Sequence, residues 1–166
     1  MGAALKEYLE RLPEPFSLLE IEGRIKDKTP FVVVALQEVD GPLAAARVFD
    51  ATRYEFHFPS ETDVQRAGFA WRRGLTVTRN PDLMALDLRP TARRSVRRGA
   101  DITVRAGDGP PIRLLSVHLN AGCREDAFER GPPECESLAR QAEIIARWVE
   151  ARRREGIAFA VLGDFN

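Results

Sequence analysis

The sequence predicts an α/β chain of the α+β kind, in which sheets stack on one another rather than forming one doubly wound sheet. Short runs with strand character outnumber the helical stretches and follow one another with few helices between them. The connector Gly107-Asp108-Gly109-Pro110-Pro111 is hairpin or loop chemistry between two such runs. The best helix, Glu136–Arg154, carries an apolar face of Leu138, Ile145, Trp148 and Val149.

The elements follow in chain order. Ala3–Leu12 has apolar residues at helical spacing and is stopped by Pro13 and Pro15. A weaker helix is expected over Phe16–Lys28, interrupted near Gly23. Phe31–Gln37 is β-branched and apolar on both faces, the pattern of a strand covered on both sides. Asp40-Gly41-Pro42 ends it with turn chemistry, and a short helical stretch, Leu43–Phe49, follows. Strands are then predicted over Tyr54–Phe58, Ala67–Arg72, Leu75–Thr78, Leu83–Leu88, Ala100–Arg105 and Ile112–Asn120. After the long helix, whose wet side pairs Glu143 with Arg147 and Glu150 with Arg154, Gly156 is a stop and Ile157–Leu162 the last strand.

Composition bounds the function. The chain has 166 residues, 44% of them hydrophobic and 30% charged, ordinary values for a single globular domain. Lys and Arg together number 25, as do Asp and Glu, so no global field draws the protein onto nucleic acid or an anionic membrane. Charge is uneven locally: Arg89–Arg98 holds five arginines and no acid, a solvated loop or a phosphate-facing edge. No apolar run is long enough to span a bilayer, and no export signal is visible, since Lys6, Glu7, Glu10 and Arg11 stand where its apolar stretch would be. Cys123 and Cys135 fit neither a zinc knuckle nor a redox pair. A disulfide between them is geometrically open and would contribute about 3 kcal/mol, but it would imply an oxidising compartment, so localisation stays undecided.

Three strand ends carry polar groups. In Ala160–Asn166, Asp164 and Asn166 fall on one side, just beyond an apolar strand and after a glycine, a pattern shared with ordinary turns. In Ile112–Asn120 the residues Leu115, Val117 and Leu119 take one face, while Ser116, His118 and Asn120 line the other. A polar row on a core-like strand needs partners or a purpose. The other histidine, His57, reads as an exposed strand residue. Glu38 sits where the most hydrophobic strand runs out, on the face shared by Val32, Val34 and Leu36. A carboxylate there either caps the turn or offers oxygen to a hard cation such as Mg²⁺.

In this order, an acid after the first strand, a His-x-Asn strand and Gly-Asp-x-Asn, the chain resembles the endonuclease/exonuclease/phosphatase superfamily of metal-dependent phosphodiesterases. The matching stretches are VVALQEV, QRAGFAWRRGLTVTRNPDL, LLSVHLNAGC and VLGDFN, spanning residues 33–166, and the look is that of bacterial members. The resemblance implies a four-layer α/β sandwich of two mostly antiparallel sheets flanked by helices, with the site at one rim. It makes residues 31–166 a partial domain of this kind, behind an atypical helical segment over 1–30. It also implies Mg²⁺ or Mn²⁺ as cofactor and Glu38 as the metal ligand. His118 would contact the scissile phosphate, Asp164 would orient or activate the attacking water, and Asn166 would bind the phosphate. Asn120 and Arg72 are expected to bind substrate. The implied reaction is in-line attack of water on phosphorus.

Two departures accompany the resemblance. Nothing in residues 1–30 reads as the family's opening strand ending in asparagine, and Gln65 stands where the nucleases often carry a glutamate. The family also continues past Gly-Asp-x-Asn to an Asp-His pair central to catalysis. The expectation is therefore a fragment with little or no activity of its own, since loss of one member of a catalytic unit removes most of the acceleration. The substrate is expected to be a phosphate ester, nucleic acid among the candidates, with no membrane insertion and no obligate partner. The rival reading is a non-catalytic module that binds phosphate-bearing ligands or proteins, the phosphates through Arg93, Arg94, Arg97 and Arg98.

Overall fold

The computed structural model describes residues 33–61, 63–89, 97–123 and 133–166, all within the unit Val33–Asn166. The helices expected over Ala3–Leu12 and Phe16–Lys28 lie outside the described residues, as do Arg93 and Arg94.

Two sheets form. The first has β1 (Val33–Val39), β2 (Tyr54–His57) and β3 (Arg66–Arg72) in the order β1-β3-β2, antiparallel throughout. The second has β4 (Thr76–Arg79), β5 (Ala100–Arg105), β6 (Ile112–His118) and β7 (Ala158–Asp164) in that order, antiparallel except for the β6–β7 pair. That parallel pair requires a crossover, and α2 (Pro133–Glu155) supplies it. A short helix, α1 (Gly41–Ala45), follows β1, with hydrogen-bonded turns carrying the chain on to Phe49.

The side-chain alternation sorts the apolar residues into three clusters, and these define the layers. Phe69, Trp71, Ala100 and Ile102 are buried between the sheets, with Val33, Ala35 and Leu114 packed against them. Leu36, Tyr54, Ala70 and Ala45 form the outer cluster beneath α1. Leu115, Val117, Leu119, Leu138 and Trp148 form the cluster between the second sheet and α2. The result is an α+β sandwich of two mostly antiparallel sheets with a helix outside each, as the sequence predicts.

A buried polar knot holds α2 to its sheet. Asp101, 1% exposed, accepts a hydrogen bond from Trp148 Nε1 at 2.8 Å and a bidentate pair from the Arg113 guanidinium. Removing one partner of a buried pair leaves an uncompensated charge, so the three residues stand together.

The segment Leu83–Leu88, expected as a strand, is instead a single bridge from Leu83 to Gly99 followed by a 3₁₀ turn, Met84–Leu86. The β4–β5 ladder continues to Asn80, whose N–H reaches Asp101 O. Pro81 then has no N–H to give it. The turn drops Leu86 into the core, where its carbonyl accepts from the buried Gln141 side chain at 3.0 Å. Cys123 and Cys135 are joined in a disulfide, closing the connection between β6 and the first turn of α2.

Candidate active site

Glu38, His118, Asp164 and Asn166 meet at one rim, and each is placed by a backbone device. Strict alternation would put Glu38 on the outer face with Val34 and Leu36. The β1–β3 register runs Leu36↔Gly68 and then Val39↔Arg66, so β1 carries one extra residue there. In this bulge Val39 takes the outer-face position and packs with Val34 and Leu36, while Glu38 adopts φ 57°. Bulges re-aim side chains in this way, and here the carboxylate turns toward the second sheet.

His118 ends β6 and is 3% exposed. Its row-mate Ser116 is satisfied across the sheet interface, donating to Leu36 O at 3.3 Å and accepting from Gln37 Nε2 at 3.0 Å. His118 Nε2 lies 3.9 Å from Glu38 Oε1 and 3.8 Å from Asp164 Oδ2. Neither distance is a hydrogen bond, so the ring is held between two carboxylates and bonded to neither. Burial, and then the nearby Arg97 guanidinium, push the imidazole below its ordinary pKa; Asp164 and Glu38 oppose this without reversing it. His118 is therefore neutral at neutral pH.

Asp164 stands beside His118 because β6 and β7 run parallel with these two residues in register. Its two oxygens divide their tasks: Oδ1 accepts the backbone N–H of Asn166 at 3.0 Å, and Oδ2 faces His118. Asn166, at φ 52°, donates from Nδ2 to Leu119 O at 2.9 Å. The Gly-Asp-x-Asn stretch is thus a turn that also brings Asp164 and Asn166 to the rim. Gly163 makes the arrangement possible. A Cβ built there would lie 1.8 Å from Val117 O, so β6 and β7 approach more closely than any side-chain-bearing residue would allow.

The other expected residues fall elsewhere. Asn120 lies beyond the end of β6, where alternation no longer operates. Its Nδ2 faces Ala121 O and Glu134 O at 3.3 and 3.5 Å, and its N–H donates to Gln141 Oε1 at 2.8 Å, turning it toward α2. Arg72 ends β3 opposite Tyr54, whereas the Glu38 bulge adjoins Arg66 at the other end. Six strand steps, about 20 Å at roughly 3.3 Å each, separate Arg72 from the rim. His57, read as exposed, is mostly buried and bonded through Nε2 to Asp82 Oδ1 at 2.7 Å, which ties β2 to the stretch after β4.

Two residues join the rim that the sequence reading did not place there. Gln65 Nε2 donates to Glu38 Oε1 at 3.1 Å, and Gln65 Oε1 accepts from Arg97 Nη2 at 3.1 Å. Arg97 Nη1 donates to Leu119 O at 3.2 Å. Arg97 was legible only as one arginine in a basic run, and Gln65 only as an amide in a glutamate's usual place.

No family model matches the sequence. Over 35 residues, 21% of the chain, it is 69% identical to the flagellar outer-arm dynein alpha chain of Chlamydomonas reinhardtii, and over 36 residues it is 53% identical to a ciliary dynein beta chain of Heliocidaris crassispina. The chain spans 1% of the length of either dynein. Among solved structures, TDP2 from Caenorhabditis elegans superposes with a TM-score of 0.63 at 15% identity, covering 89% of this chain and 40% of that one. TDP2 from D. rerio, complexed with single-strand DNA product, gives 0.54 at 18% identity, covering 89% and 52%. ANGEL2, a 2',3'-cyclic phosphatase, gives 0.50 at 18% identity, covering 98% and 48%. The chain thus shares its two-sheet α+β fold with TDP2 and ANGEL2.

Proposed function

We propose that this domain, residues 31–166, hydrolyses phosphate esters with the help of Mg²⁺ or Mn²⁺, and that the rim of Glu38, His118, Asp164 and Asn166 is the site. The observation that carries the reading is the convergence of both carboxylates on His118 Nε2, at 3.9 and 3.8 Å, from strands of different sheets. Support comes from the motif resemblance to the endonuclease/exonuclease/phosphatase superfamily. It comes also from the fold shared with a protein seen with a DNA product and with a cyclic phosphatase. A phosphodiester, nucleic acid included, is the proposed substrate class.

The donor set suits a hard cation. Glu38 and Asp164 are both more than half exposed and offer carboxylate oxygen. Among the described residues no group of three or more His, Cys, Asp or Glu side chains is disposed to hold a metal. An all-protein cage is therefore a poor fit, whereas an ion that keeps its waters and takes substrate phosphate as a ligand fits well. Glu38 would hold it, with Asp164 beside, and it would supply Lewis-acid polarisation of the phosphoryl group. The chain's own groups do the rest. Neutral His118 presents Nε2 to a phosphoryl oxygen. Asn166, with one amide hydrogen used on Leu119 O, presents the other. Asp164 Oδ2, its partner oxygen fixed by the turn, accepts a proton from the attacking water as the water–phosphorus bond forms and the ester bond breaks, the leaving oxygen departing as an alkoxide or phenolate that takes its proton from solvent. Of the chain's two histidines, His57 is committed to Asp82 and His118 is the one at the rim.

The test is release of p-nitrophenol from bis(p-nitrophenyl) phosphate, and cleavage of a single-stranded oligonucleotide, with and without Mg²⁺ or Mn²⁺. Weak metal-dependent turnover, lost in Glu38→Gln and in Asp164→Ala, is expected. Absence of both turnover and Glu38-dependent metal binding would replace this reading with the non-catalytic phosphate-binding module.

A further inference from the structure

Glu38 occupies an exposed bulge at a backbone angle that side-chain-bearing residues seldom adopt, so something must hold its carboxylate in place. The hydrogen bonds around it form a directional chain. Arg97 Nη2 donates to Gln65 Oε1, and Gln65 Nε2 donates to Glu38 Oε1. Gln65 is itself fixed by its N–H to Asp63 Oδ1 at 3.0 Å. From its other nitrogen Arg97 donates to Leu119 O, the same carbonyl that takes Asn166 Nδ2. One guanidinium therefore links the acid of the first sheet to the amide of the second. Its Nε is buried without a partner, a penalty offset by what the two Nη groups hold.

The chemistry explains why an amide stands between the charges. Arginine against glutamate closes a bidentate fork that occupies both oxygens and compensates the charge. A glutamine between them offers an acceptor to the arginine and a donor to the carboxylate, which no charged side chain does. Only Glu38 Oε1 is engaged, by a neutral donor, so no guanidinium is paired with the carboxylate. We propose that Gln65 and Arg97 are positioning residues that act as one relay, orienting Glu38 and setting the affinity of the rim for a divalent cation. This rests on the functional reading above.

Direct Mn²⁺ titration of the purified protein by calorimetry tests it, with no turnover involved. Gln65→Met and Arg97→Met, each checked by circular dichroism, are expected to weaken Mn²⁺ binding about 10-fold, the scale at which partners of metal-ligating groups act. The double variant is expected to be no weaker than the weaker single. Arg97→Lys, which keeps the charge but not the two-pronged reach, is expected to lose as much and stands in if Arg97→Met does not fold. Wild-type affinity in Gln65→Met or in the folded Arg97 variant, or losses that multiply in the double variant, overturns the relay. Glu38→Gln in the same titration separates the two levels. If it loses binding while Gln65→Met does not, the relay alone falls. If it binds like the wild type, the metal reading of the rim falls and the relay with it.

Discussion

Substituting Gly163 by alanine tests whether the approach of β6 to β7 sets the geometry of the rim. The added Cβ would sit 1.8 Å from Val117 O, 2.8 Å from Val117 C and 3.0 Å from Val117 N, where ordinary contact begins at 3.4 Å. The obstacle is backbone, so no side-chain rotation relieves it, and the strands would have to part by about 1.5 Å. Ladder hydrogen bonds do not survive that, and the Leu119 N–H to Asp164 O bond, 2.9 Å long and one residue beyond Gly163, is among those lost. Overpacking of this kind costs about 1–3 kcal/mol. Alanine at φ 142° adds about 1–3 kcal/mol, and the lost bond about 1 kcal/mol. A total of about 3–7 kcal/mol corresponds to a melting point lower by roughly 10–20 °C in a domain of this size. Gly74→Ala is the control, because Gly74 also has positive φ, 95°, but nothing lies within 4 Å of its Cβ position; it is expected to lose only about 3 °C for about 1 kcal/mol. Thermal unfolding followed by circular dichroism decides the matter. Equal melting points for the two variants would refute the close-approach argument.

Substitutions at two further positions probe the rim and its surroundings. The Glu61 carboxyl is pushed up to about 7 from an ordinary 4.5, mainly by burial, against the opposing pull of the Arg98 N–H. Between about 4.5 and 7 the folded chain holds a proton that the unfolded chain has released, so stability falls as pH rises through that window. Glu61→Gln should accordingly exceed the wild type in urea midpoint at pH 8 and match it at pH 4; a difference independent of pH would contradict the assignment. At Glu38 the φ of 57° inverts the usual strand preference. Glu38→Gly should be more stable than Glu38→Ala by about 1 kcal/mol, whereas glycine in a regular strand is the worse residue. Urea unfolding with alanine the more stable of the two would mean that the bulge is not strained.

What was legible in the sequence was whatever depends on local pattern. The alternation in IRLLSVH predicted the two faces of β6, and the helical period predicted α2 to within three residues at its N-terminal end and one at its C-terminal end. His118, Asp164 and Asn166 were legible because polar residues at the end of an apolar strand are a local pattern, whereas the parallel register that brings them together is tertiary. Glu38 was chosen for the right end of the right strand but assigned the wrong face, since an inserted residue in β1 leaves no local signature. Asn120 is turned toward α2 for a related reason: it lies two residues beyond the strand, and the alternation does not extend that far. Arg72 lies at the far end of β3 from Glu38 because strand direction, set by pairing, decides which end of β3 sits beside the C-terminal end of β1. Gln65 and Arg97 are far from each other in the chain and were joined to the site only by tertiary contact.

The parallel pairing of β6 with β7 has a consequence for how the protein acquires its site. Antiparallel neighbours can zip from a hairpin, whereas a parallel pair must close the long loop of its crossover, here one that carries the docked helix, before its contacts form. Here that docking includes the burial of Trp148 against Asp101. Asp164 and His118 are therefore joined across a 23-residue helix rather than a tight turn, and we infer that the rim forms late in folding, since contacts of such sequence separation are slow to close. A nascent or partly unfolded chain would hold its carboxylates apart, and the appearance of the rim would report completion of the fold.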